Sequence, residues 1–70
     1  MNINKAVDKK YENKSFKEIA DSPADALQGL SSGDAELLFK AFNVKTVRDL
    51  ATLKYVKWAQ AIVNLEGTED

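Results

Sequence analysis

Leu27-Gln28-Gly29-Leu30-Ser31-Ser32-Gly33-Asp34-Ala35-Glu36-Leu37-Leu38, followed by Phe42-Asn43-Val44-Lys45-Thr46-Val47-Arg48-Asp49-Leu50-Ala51, is the stretch that decides the fold. It reads as helix, tight glycine turn, helix, tight asparagine turn, helix. Gly29 suits the left-handed residue that closes one helix, with Leu30 packing back on its end, and Asn43 with Val44 repeats the device. Connectors this short join helices that pack closely. A tight helix–turn–helix of this kind serves as a binding scaffold more often than as a catalytic one.

Working outward, Ser31 or Ser32 starts the middle helix, with Asp34 and Glu36 in its first turn, where the dipole favours negative charge. Ala35, Leu38, Phe39 and Phe42 form its expected core stripe, widened by Leu37 and Ala41. Thr46-Val47-Arg48-Asp49 is a capping-box analogue opening a short helix that turns Val47, Leu50 and Ala51 inward. Ser15-Phe16-Lys17-Glu18 is a second capping box, heading a short helix through Asp21 that buries Phe16, Ile19 and Ala20. Ser22-Pro23 breaks it, with Ser22 as N-cap and Pro23 at the first position of a helix over 23–28 that buries Ala26 and Leu27. The last helix spans about 53–65, with Tyr55, Trp58, Ala59, Ile62 and Leu65 at three- and four-residue steps and Val56 and Val63 beside them. The class is all-α: a compact bundle of four to five short helices.

Three regions follow. Residues 1–14 are a polar leader, flexible or weakly helical, in which Ile3, Val7 and Tyr11 stand four apart and share one stripe if helical. Residues 15–66 are the helical domain, and 67–70 a disordered polar tail.

At 70 residues the chain is one domain with a marginal core. It has no cysteine and no histidine. Disulfides, thiolate or ordinary zinc sites, histidine acid–base catalysis and Ser-His or Cys-His nucleophiles are therefore excluded. The formal net charge is -1, from 10 basic and 11 acidic residues, so any nucleic-acid surface has to be local. No apolar run reaches the ~20 residues of a membrane span, and no signal-peptide core follows Met1. The expectation is a cytoplasmic protein with no membrane association. Asp21, Asp25, Asp34, Glu18 and Glu36 read as caps and dipole partners rather than as a metal or catalytic set, so no metal and no cofactor are expected.

Between Leu27 and Ala51 the chain resembles a helix-hairpin-helix unit, on Leu27, Gly29, Leu30, Ala35, Leu38, Phe42-Asn43-Val44 and Thr46-Val47-Arg48-Asp49-Leu50-Ala51. It is similar to the small N-terminal domains of RadA-type recombinases and to uncharacterised domains of that fold. The resemblance covers about a third of the chain and implies a fold more strongly than a function. In DNA-binding members a Gly-apolar-Gly hairpin offers backbone N–H groups to a phosphate. Carried over, that hairpin is Gly29-Leu30-Ser31, with serine in place of the second glycine. Asp34 and Glu36 lie in the same turn, and no Lys or Arg falls between Lys17 and Lys40. These departures from the DNA-binding pattern point to a structural hairpin here.

Two functional readings remain. The first is a non-enzymatic interaction module that pairs with an unknown protein partner or with itself, through Tyr55, Val56 and Trp58 with the leader residues Val7 and Tyr11. Its plainer counterpart makes Trp58 a core anchor with Tyr55 closing the edge. The second is weak, non-sequence-specific nucleic-acid binding, through Gly29, Leu30 and Ser31 with Lys40, Lys45, Arg48, Lys54 and Lys57. Its plainer counterpart is a solvated face balanced by Asp49 and Glu66.

Overall fold

The computed structural model describes residues 3–68, and helices α1 (Ile3–Ala6), α2 (Phe16–Ala20), α3 (Ser32–Phe42), α4 (Val47–Thr52) and α5 (Lys54–Glu66) account for most of them. Two 3-10 turns, Lys9–Tyr11 and Ala24–Ala26, complete the helical content, and the described residues form no strand. The protein is all-α, as expected.

Local chemistry sets the helix starts. Three reciprocal capping boxes are closed. Ser15 and Glu18 start α2, Ser31 and Asp34 start α3, and Thr46 and Asp49 start α4. Asn43, with φ 59°, ends α3 in the left-handed conformation. Gly29, with φ 97°, turns the chain between the connector (residues 22–28) and α3, in a region an L side chain adopts only under strain.

The core does not follow the helix stripes. It consists of Val7, Ile19, Ala24, Ala26 and Val44. All five lie on or beside residues 22–28, where an α-helix was expected. The structure places only the 3-10 turn Ala24–Ala26 there, flanked by extended Pro23 and Leu27. The reason is competition for backbone hydrogen bonds. The Ala24 N–H donates to the Lys45 carbonyl at 3.1 Å, and the Val47 N–H to the Ser22 carbonyl at 3.0 Å. At the other end the Asp8 N–H donates to the Ala26 carbonyl at 2.7 Å, and the Gln28 N–H to the Ala6 carbonyl at 2.9 Å. Pro23 falls between an acceptor, the Ser22 carbonyl, and a donor, the Ala24 N–H, and needs no N–H of its own. Alanine is required where backbones approach this closely, and Ala26 is 0% exposed. The Ser22 hydroxyl donates back to the Glu18 carbonyl at 2.7 Å, so Ser22 closes α2 instead of capping the next turn.

Residues 3–14 are integrated into this arrangement. Val7 is 2% exposed and bridged antiparallel to Leu27. The expected Ile3–Val7–Tyr11 stripe is absent, because α1 ends at Ala6 and the chain extends to reach the connector. Asn13, left-handed at φ 68°, donates its N–H to Asn4 Oδ1 at 3.4 Å. At the other terminus, Thr68 closes α5 by donating its hydroxyl to the Leu65 carbonyl at 2.8 Å. The remainder of the expected tail, Glu69 and Asp70, lies outside the described residues, as do Met1 and Asn2.

Several side chains expected inside are exposed instead, among them Phe16, Leu37, Phe39, Phe42 and Ala51.

Two outcomes follow for stability. Ala26→Val overpacks a backbone contact and costs about 1–3 kcal/mol, measurable by urea unfolding. Val7→Asp puts a charge into the core and unfolds the protein, whereas Val63→Asp, at an exposed position, leaves the urea midpoint near wild type. A third concerns pH. Glu18 is held below its ordinary carboxylate value, first by the Ser15 backbone N–H and then by the Ser15 hydroxyl. Asp49 is lowered first by the Lys45 backbone N–H and further by Thr46. Both lowered values mean that the caps are fully effective above the unfolded-state value and are lost as pH falls through the folded one. The far-UV helical signal is expected to stay flat down to about pH 5 and to fall through about pH 4 and below. Glu18→Gln and Asp49→Asn together should flatten the acid limb.

Candidate interaction surface

α5 is apolar over half its circumference, and most of that half meets solvent. Trp58 is 58% exposed, Ile62 68% and Leu65 62%, with Tyr55 and Val63 similarly open. Only the start of the helix is seated: Leu53 and Val56 are half-buried. From Lys57 to Thr68 every residue is exposed. The helix leaves the body because Leu53, extended at ψ 124°, redirects the chain immediately after α4. The protein measures 43 × 30 × 19 Å accordingly.

Aromatic contacts join α5 to α3. The Phe42 and Tyr55 rings lie 6.2 Å apart, and Tyr55 meets Trp58 edge-on at 5.8 Å. The Lys54 ammonium stands 5.1 Å from the Tyr55 ring centre and 5.6 Å from that of Trp58. On α3 the surface continues as an open apolar groove lined by Leu30, Asp34, Leu37, Leu38, Ala41 and Phe42. Leu37 and Phe42 were expected in the core; here they extend an exposed face.

Of the expected partner-binding residues, Tyr55 and Trp58 are on this surface and Val56 is at its edge. Val7 is not available for contact, because the bridge to Leu27 buries it. Tyr11 is half-buried, with the Lys10 ammonium 5.2 Å from its ring centre. Ile62 and Leu65 continue the Tyr55–Trp58 steps and Val63 stands beside them, yet none of the three was among the expected contacts, although all are exposed. The available signal was the apolar arc of α5, wider than α4 alone can cover.

The residues of the nucleic-acid alternative are mostly engaged within the chain. The Ser31 N–H donates to the Asp34 carboxylate at 3.1 Å, and the Leu30 N–H to the Leu27 carbonyl at 3.1 Å. A carboxylate thus sits against the hairpin donor that a phosphate would use. Lys40 pairs with Glu36 at 3.1 Å and Arg48 with Asp21 at 2.9 Å. Lys45 stands 5.5 Å from the Phe39 ring centre, and Lys57 is exposed on α5. The exposed ion pairs contribute little to stability. Among the described residues no three acidic side chains gather as a metal ion would need, and no helix is long and apolar enough to cross a membrane.

Comparison of the chain with protein-family models, curated proteins and solved structures gives no match.

Arg48→Ala is expected to shift stability by less than about 1 kcal/mol, because both partners are solvated. Gly29→Ala, which places a side chain at φ 97°, is expected to cost about 1 kcal/mol or more. Urea unfolding distinguishes them.

Proposed function

We propose that the protein is a small non-enzymatic interaction module whose working surface is the apolar face of α5, continued by the α3 groove. One observation carries this reading: a row of large apolar side chains on α5, Tyr55, Trp58, Ile62 and Leu65, open to solvent in a chain of only 70 residues. Contiguous exposed apolar surface on a soluble domain marks a contact site. Tryptophan and tyrosine at its centre are the side chains that contribute most to protein interfaces. The near-neutral charge favours a protein over a polyanion as the occupant. Gly29-Leu30-Ser31 serves this reading as the turn that leads from the extended Leu27 into α3, not as a ligand site.

The test separates a contact face from a core face. Ile62→Glu with Leu65→Glu should leave the dilute protein folded, with its urea midpoint within about 0.5 kcal/mol of wild type, while removing the binding of an environment-sensitive apolar dye. A loss of stability comparable to a core substitution would contradict the reading. Titration of labelled protein with a short DNA duplex at low salt should leave the amide spectrum unchanged. Shifts at residues 29–32 and at the lysines of residues 40–57 would favour the nucleic-acid alternative.

A further inference from the structure

We infer that the occupant of the α5 face is a second copy of this chain, bound through antiparallel pairing of the two α5 helices; the inference rests on the interaction-module reading above. Three observations choose this occupant over another protein.

The first is periodicity. Tyr55, Trp58, Ile62 and Leu65 follow each other at steps of three, four and three, the a/d spacing by which one helix packs against another of its kind. All four are exposed, Ile62 and Leu65 most, while Phe42 and the Lys54 ammonium stand beside the Tyr55 end of the row. Small residues, Ala59 and Ala61, flank it and permit close approach of the helix axes.

The second is charge. α5 begins with Lys54 and Lys57 and ends with Glu66, with Glu69 and Asp70 next in the sequence. A parallel pair would set like charges side by side at both ends. An antiparallel pair sets the basic start of each helix beside the acidic end of the other, and opposes the helix dipoles as well. In that register Tyr55 lies level with Leu65 of the second copy, and Trp58 with its Ile62. A two-fold axis crosses the seam between Trp58 and Ile62, level with residue 60, which gives the closed, self-complementary contact of a symmetric dimer.

The third is area. A stable dimer buries about 800 Å² on each partner. α5 itself is about 20 Å long. The Phe42–Tyr55–Trp58 ring contacts join its seam to the α3 groove, so the surface available exceeds that of one helix face.

The experiment measures mass by sedimentation from micromolar to millimolar protein, together with cross-linking at introduced cysteines, which the natural chain lacks. The expected result is a monomer–dimer equilibrium abolished by Ile62→Glu. A short bis-maleimide should link Ala61→Cys, which lies close to the two-fold axis. It should not link Glu66→Cys, whose two copies stand about 18 Å apart along an antiparallel seam. Cross-linking through Glu66→Cys would overturn the antiparallel arrangement. A monomeric mass at every concentration, with the Ile62→Glu variant as stable as wild type, would overturn the second copy as occupant and leave the contact-face reading standing. A destabilised Ile62→Glu monomer would overturn both.

Discussion

The fold depends on the connector at residues 22–28 being hydrogen-bonded to two distant parts of the chain. Its first half pairs with residues 45–47 and its second half with residues 6–8. These bonds close loops of about 20 residues each, whose entropy must be offset by what is buried around them. Val7, Ile19 and Val44, buried together with Ala24 and Ala26, supply that burial. The alanines are small because the backbones meet there. The helices are then arranged around a strut, and their wider apolar faces are left partly outside.

That arrangement links packing to function. A helix bundle of this length would ordinarily spend every large apolar side chain on its own core. Here the core is assembled from five small or medium side chains, and the bulky ones, Trp58, Phe42, Leu37, Ile62 and Leu65, remain at the surface. A domain with so small a core gains from association, because binding that favours the folded state adds to its stability. The exposed face of α5 and the modest interior are two consequences of one topology.

Much of the local structure was legible in the sequence. Ser15 with Glu18 and Thr46 with Asp49 close as capping boxes, and Gly29 and Asn43 take up left-handed dihedrals, because these devices act within a few residues. The all-α class followed from the same signals. What could not be read was which apolar residues the interior would select. Residues 23–28 carry helix-compatible side chains, yet their backbone donors and acceptors go to the leader and to the α3–α4 turn, a choice made by partners far away in sequence. Val7, bridged to Leu27, is buried and leaves the expected contact set, whereas Trp58 stays in it, exposed. The two α5 aromatics of the candidate site were legible as a pair; the neighbours that extend it, Ile62, Val63 and Leu65, were not, since a helical apolar stripe looks the same whether its own chain or another covers it.

Amide hydrogen exchange, followed residue by residue at two protein concentrations, tests the account most directly. The N–H groups of Asp8, Ala24, Gln28 and Val47 are expected to be the slowest in the chain and to be indifferent to concentration. Those of α5 beyond Trp58 are expected to exchange quickly in dilute solution and to slow as concentration rises. Protection of α5 equal to that of the connector at every concentration would mean that the helix belongs to the monomer's core, and would contradict the account.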